Sequence, residues 1–425
     1  MAATHIPRCA EIWLGEMLPY LPAIMIDGAK GVGKTQTAEQ FANTVFELDQ
    51  TAVREVLSAD YDRLREDNPP ILLDEWQWLP EVWDRVRRMV DRNAPAGSII
   101  LTGSVQSKNP NLHSGAGRIV RMRMRPLSLA ERIRPKEMVA LSDCLNDSVP
   151  ARLRIKSPLK FSDYMYEIIR SGFPSIYSAP EQIRKSLIDS YLDNIVEREF
   201  LAQGLRVHQP QALRRWLTSY AAATGTTTSY TKILDAASAG EDNKPAKPTT
   251  TAYREALHRL WLIDDLAIWG EGEDFFGRLK KTPKHFLADP ALEARLLGLN
   301  AHDLINGTAR NQYDPEYGSI AGRLFESLCA MSLRTYAINC GASVSHLRNA
   351  RGSREVDFII QRDQDIVAIE AKMSASVTDE DVENLNWFAE EVGTRVKEKI
   401  VLTTGEWAYR RIDGVLVIPA ALFGA

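Results

Sequence analysis

The sequence predicts an α/β protein that opens with a parallel sheet wrapped by helices, continues as a helical segment and ends in a second α/β region. Three observations predict it. The short runs Ala23–Ile26, Ile71–Leu73 and Ser98–Leu101 are apolar throughout and each stops at a polar loop. Strands covered on both faces read this way, and the amphipathic stretches between them supply the covering helices. Four later segments, Glu355–Ile360, Ile366–Ala371, Ile400–Thr403 and Gly414–Ile418, alternate or run apolar around polar turns.

The strand run ends near Ser142, and a length of 425 residues exceeds one ordinary core. Residues 1–142, 143–289 and 290–425 are therefore expected to form three domains. In the middle segment, Tyr191–Leu201 and Leu213–Ala222 carry apolar residues at three-to-four spacing. Ala236–Thr250, rich in Gly, Pro, Ala and Thr, reads as a loop; Thr251–Leu262 then reads as a helix and Ile263–Leu287 as a hairpin. Helix, loop, helix and hairpin together predict a winged-helix-like domain.

Composition narrows the classes. With 44% hydrophobic and 25% charged residues, the chain is no disordered polymer. A net charge of −4 gives no global pull towards nucleic acid, so any such contact must come from a local patch. Cys9, Cys144, Cys329 and Cys340 show no metal-ligand spacing and read as buried small side chains in a reducing cytoplasm. No run is long and apolar enough to span a bilayer, so a cytoplasmic chain without membrane contact is expected.

The first chemical motif lies directly after the first strand. Residues 28–35, GAKGVGKT, fit GxxxxGK[ST] between a strand and an amphipathic segment, Gln36–Phe46, expected to be helical. Gly28, Gly31 and Gly33 let the backbone curl its N–H groups towards phosphate oxygens. Lys34 would reach the β- and γ-phosphates of ATP, Thr35 would ligate Mg²⁺, and Gln36 completes the cradle. The strand Ile71–Leu73 delivers Asp74 and Glu75 at its C-terminal end, where such sheets bind ligands. Asp74 suits the Mg²⁺ shell and Glu75 suits proton transfer from the attacking water. Ser104, after the third strand, would sense the γ-phosphate or orient the water; a turn bonding to itself is the plainer alternative.

Two further clusters follow. In Arg118–Arg125 (RIVRMRMR), Arg121, Arg123 and Arg125 share one strand face, which fits either phosphate contact or a charged, aggregation-resistant edge. Near the C-terminus, Glu370 and Lys372 project from one strand face, and a turn centred between Asp363 and Gln364 would set Asp357 opposite Glu370. Carboxylates so placed can hold Mg²⁺ beside a lysine that stabilises an attacked phosphodiester, with Glu326 completing the shell. The plain alternative is a surface ion pair.

These pieces together resemble the bacterial and archaeal AAA-type ATPases that carry a C-terminal domain of unknown function with a restriction-endonuclease-like fold. The resemblance runs over nearly the whole length, through GAKGVGKT (28–35), PPILLDEWQWLP (69–80), IILTGS (99–104), GRIVRMRMRPLSLAE (117–131), SGFPS (171–175), YLDNIVERE (191–199), TPKHFLADP (282–290), GRLFE (322–326), REVDFII (354–360) and AIEAKMS (369–375). It implies an AAA-like core, a winged-helix-like middle and a PD-(D/E)XK nuclease-like end, and the full set Glu326, Asp357, Glu370 and Lys372 is present. It also implies that Arg118 serves as an arginine finger on a neighbouring subunit, hence a homo-oligomer, as a ring or another assembly. Two functions follow as expectations: a Mg²⁺-dependent ATPase that remodels or translocates DNA and cuts it, or an ATPase switch that binds DNA or protein with a non-catalytic C-terminal fold.

Overall fold

The computed structural model describes residues 5–105, 117–202, 204–205, 209–239, 246–270, 283–307, 319–348 and 354–425. The chain divides into two compact units, Met1–Pro126 with Arg259–Trp261, and Leu127–His258 with Leu262–Ala425.

In the first unit the apolar runs form the interior of a five-stranded sheet. Its strands are β1 (Ala23–Asp27), β2 (Thr44–Glu47), β3 (Ile71–Asp74), β4 (Ile99–Gly103) and β5 (Val120–Arg123), in the order β2-β3-β4-β1-β5 with every neighbour parallel. All residues of β1, β3 and β4 are buried, as runs without polar interruption require. One face packs Met25, Leu73 and Leu101 against Trp76, Val82 and Trp83. Because β4 lies between β1 and β3, the loops leaving all three strands open at one end of the sheet.

One expected element differs. The segment predicted as a helix over Gln36–Phe46 is helical only over Lys34–Glu39, and Thr44–Glu47 is the edge strand β2. The Asn43 and Thr44 N–H groups both donate to the Pro70 carbonyl, which turns the chain into the sheet. Only Phe46 of this strand is buried, so its apolar spacing satisfied either period.

In the second unit, β6 (Val139–Ala140) pairs with β14 (Phe423–Gly424). The larger sheet comprises β7 (Ile155–Lys156), β8 (Ser343–Arg348), β9 (Glu355–Arg362), β10 (Asp365–Lys372), β11 (Val396–Thr403), β12 (Trp407–Arg410) and β13 (Leu416–Pro419). Its order is β7-β12-β13-β11-β10-β9-β8. The helix Asp379–Val392 crosses between the parallel strands β10 and β11 and packs Val382, Leu385 and Phe388 on the sheet. The helix Ile320–Asn339 is buried along most of its length.

The expected boundary at residue 142 moves. Residues 127–142 pack within the second unit, where a Ser128–Glu131 capping box starts a short helix whose Leu129 and Ala130 N–H groups donate to Ser332 and Tyr336. By their contacts, residues 143–289 and 290–425 fall within that one compact unit. The predicted loop Ala236–Thr250 is also shorter, since helices run to Ala237 and resume at Lys247; residues 240–245 lie outside the described residues. The predicted hairpin is present at its base as antiparallel bridges Ile263–Leu287 and Leu266–Lys284, and its tip, 271–282, also lies outside them. Of the four cysteines, Cys144 and Cys329 are buried while Cys9 and Cys340 are partly exposed. Among the described residues no helix is long and apolar enough to cross a membrane.

Candidate functional site

The end of β1 leads straight into the glycine loop. Gly31 and Gly33 adopt left-handed backbone angles, φ 84° and 98°, which other residues reach only at a cost. Gly28 is required for another reason: a Cβ there would stand 2.3 Å from the Met124 carbonyl oxygen, so the loop's floor is the backbone beyond β5. The buried Arg8 guanidinium fixes the loop from its other side, donating to the carbonyls of Val32 and Arg125 at 2.7 Å each. Gln36 follows on the exposed face of the short helix.

The side chains expected to act together do meet. The Lys34 ammonium lies 3.0 Å from the Gly28 carbonyl, 3.1 Å from that of Ala29 and 3.1 Å from the Ser104 hydroxyl. Ser104 in turn donates to Glu75, whose other carboxylate oxygen accepts from Gln77. Thr35 donates to Asp74 at 2.8 Å, and Thr102 donates to the same oxygen while accepting the Glu75 N–H at 3.0 Å. Glu75 holds a left-handed conformation, φ 53°, which turns its side chain off the strand line. Burial lowers the Lys34 ammonium's pKa, against the pull of Glu75 and Asp74. Burial likewise raises Asp74, opposed by its hydrogen bonds from Thr102 and Thr35.

The donor set suits a nucleotide-bound Mg²⁺. Such an ion uses one or two carboxylates beside substrate phosphates, and one hydroxyl and one carboxylate already stand together in Thr35 and Asp74. When bound, the ion would neutralise charge on the phosphate chain.

The basic strand is mostly committed to structure. Arg121 pairs with the buried Asp27 at 2.7 Å, and the Arg123 guanidinium lies 4.8 Å from the Trp261 ring centroid. Arg118 pairs with Asp91. Since Val120 is level with Ile24 and Arg123 with Asp27, Arg118 sits at the opposite end of β1 from the glycine loop. It is therefore placed away from the glycine loop of its own chain.

In the second unit, β9 and β10 pair in the expected register. Phe358 stands opposite Ile369, and one further step sets Asp357 against Glu370. The Asp357 carboxylate accepts the Ala371 N–H at 3.0 Å. Lys372 lies 3.9 Å from Glu370 and 4.0 Å from Asp381, so these groups gather as the spacing implies. Burial raises the Glu370 carboxyl, and among the described residues its Oε1 has no hydrogen-bond partner.

What the spacing did not reveal is Lys284. Its ammonium, wholly buried, lies 2.7 Å from Glu326, 2.9 Å from Glu355 and 3.0 Å from Asp357. Burial works against that charge, but the three carboxylates outweigh it and hold the ammonium well above the usual lysine range. The next residue, His285, points the other way: its Nε2 donates to the Thr228 carbonyl at 2.7 Å and its Nδ1 lies 3.5 Å from Asp265. The nuclease-type metal shell therefore does not fit here, because Lys284 stands between Glu326 and Asp357. Among the described residues no group of three or more His, Cys, Asp or Glu side chains is arranged to hold a metal.

Comparisons with known proteins bear on each segment. A family model described as an AAA domain matches residues 21–133. Two domains of unknown function, DUF8612 and DUF4143, match residues 161–303 and 321–423. An uncharacterized protein of Haemophilus influenzae is 24% identical over 358 residues, covering 82% of this chain and 75% of that protein. The chain is also similar to the Walker-type ATPase PABY2304 of Pyrococcus abyssi, with 16% identity, 69% of this chain and 96% of that one covered, and a TM-score of 0.38. A structure of the Drosophila ORC bound to DNA is matched at 14% identity over 68% of this chain and 94% of that one, with a TM-score of 0.18. The first third of the chain is thus matched to the AAA-type ATPases, by that domain's family model, and it carries the phosphate loop, acidic strand end and hydroxyl that ATP chemistry uses.

Proposed function

We propose that this chain is a Mg²⁺-dependent ATPase whose nucleotide cycle acts as a switch on a bound partner. The observation that carries the reading is the connected set Lys34–Ser104–Glu75 beside Thr35–Asp74. An incoming γ-phosphate offers Lys34 a charged partner in place of neutral oxygens. Ser104 would then be free to turn to that phosphate, and Glu75, released from Ser104, would take the proton of the attacking water. Thr35 and Asp74 would hold Mg²⁺.

The partner is proposed as DNA or protein, engaged through the winged-helix-like middle segment and a nuclease-like C-terminal fold. A cutting role for the second unit was the first expectation; Lys284 within the carboxylate cluster favours the binding role instead. Oligomerisation is proposed through Arg118, whose place away from its own loop suits a neighbour's site.

The test is Glu75→Gln, which should bind ATP and turn it over at least about 100-fold more slowly, within the range general-base removal produces. Unchanged hydrolysis sinks the assignment of Glu75. For the second unit, branched and linear DNA incubated with Mg²⁺ and ATP should stay intact with wild type and Lys372→Ala alike. Cleavage by wild type that Lys372→Ala abolishes restores the nuclease reading.

A further inference from the structure

The cluster around Lys284 is assembled from distant parts of the second unit. Lys284 lies on the returning arm of the hairpin base, exchanging backbone hydrogen bonds with Leu266 at 2.9 and 3.0 Å. Glu326 comes from the helix Ile320–Asn339, while Glu355 and Asp357 share one face of β9. An ammonium carries three protons, and three carboxylate oxygens stand at 2.7, 2.9 and 3.0 Å. Its donor capacity is met in full. The second Asp357 oxygen is taken by the Ala371 N–H, so both oxygens of that carboxylate are committed.

We propose that Lys284 is the resident cation of this cluster: its ammonium fills the position between Glu326 and Asp357 that a divalent ion would need, and the second unit takes up such an ion only when the ammonium is removed. The argument is one of space and charge. Mg²⁺ demands oxygen ligands at about 2.0–2.1 Å. An ion that close to the Glu326 and Asp357 oxygens would press against the Lys284 nitrogen that already bridges them. Two cations in contact at a buried site repel with little water to screen them. With the ammonium gone, Glu326, Glu355 and Asp357 lose the cation they share and, with Glu370 beside them and Lys372 as the remaining ammonium, leave the excess of carboxylates that a hard divalent ion binds.

This inference deepens the binding role proposed for the second unit and rests on it, yet its test is separate from any cutting assay. Manganese binding is read by loss of the free Mn²⁺ signal in electron paramagnetic resonance, on the full chain without nucleotide. Wild type should bind no manganese that Asp357→Asn removes. Lys284→Met should gain one ion that the double variant Lys284→Met, Asp357→Asn loses. Two results overturn the proposal: manganese in wild type that Asp357→Asn or Glu326→Gln removes, or a folded Lys284→Met, judged by circular dichroism, that gains none. Should Lys284→Met fail to fold, wild type against Asp357→Asn decides the matter alone. Manganese that wild type binds and Asp357→Asn loses, with DNA left uncut, would defeat the inference while sparing the binding role.

Discussion

Two buried lysines, one in each unit, show how partners rather than burial decide what an ammonium does. Lys34 and Lys284 are 4% and 1% exposed, so both are removed from water. Among the described residues Lys34 hydrogen-bonds only to neutral oxygens, those of Gly28, Ala29 and Ser104. Its desolvation outweighs the more distant pull of Glu75 and Asp74, and its pKa moves down. Lys284 faces three carboxylates, and its pKa moves up. A desolvated charge with no hydrogen-bonded counter-charge gains by meeting an anion; one already surrounded by carboxylates has nothing further to gain. The first is built to receive a ligand, the second to hold the protein together.

Four experiments would break or sharpen that contrast. The largest effect is expected from Lys34→Ala, which should weaken nucleotide binding at least about 100-fold, in line with losing a charge-assisted phosphate contact. A fluorescent ATP analogue reads it, and the melting temperature should barely move; retained binding would erase the difference between the two lysines. Lys284→Met should do the reverse. Removing one partner of a buried ionic set costs about 3–5 kcal/mol, so thermal stability should fall steeply while nucleotide binding persists. A melt equal to wild type would show that the ammonium contributes little.

Glu293 offers a third, smaller test within the second unit. Burial raises its carboxyl to about 8 from the ordinary 4.5, even with hydrogen bonds from Leu287 and Thr224. Between those values the folded chain keeps a proton that the unfolded chain has released. The stability linked to Glu293 is therefore complete below the ordinary value and declines as pH rises towards 8. Glu293→Gln, neutral throughout, should flatten that decline in thermal melts taken across the window. An identical slope would assign the pH dependence to other groups. The smallest effect concerns Arg118: Arg118→Ala subunits mixed with Glu75→Gln subunits should regain part of the lost ATPase rate. No recovery with oligomers intact would remove Arg118 from a neighbour's site.

Legibility in the sequence followed the range of the interaction. The glycine loop, Thr35, Asp74, Glu75 and Ser104 were readable because each sits at the end of an uninterrupted apolar strand, and parallel strands bring such ends together. Asp357 and Glu370 were readable because a tight turn fixes their register. Lys284 was not. It reaches Glu326 across 42 residues and Asp357 across 73, and no local period announces a pairing of that span. Arg8 was hidden for the same reason, since its carbonyl partners lie 24 and 117 residues away. The helix predicted over Gln36–Phe46 failed differently: a four-residue edge strand with one buried side chain carries too little pattern to distinguish two periods.

The adjacent pair Lys284 and His285 has a consequence for how the second unit comes apart. One side chain is fastened to the large sheet and the helix Ile320–Asn339; the other lies against Asp265 and the rings of Tyr220 and Tyr230, 5.1 and 4.9 Å from its own. A two-residue stretch of extended backbone thus belongs to two interiors at once. Loosening either set of contacts would loosen the backbone that carries the other side chain, which couples the two clusters locally. Part of the unit's cohesion thus passes through a single dipeptide.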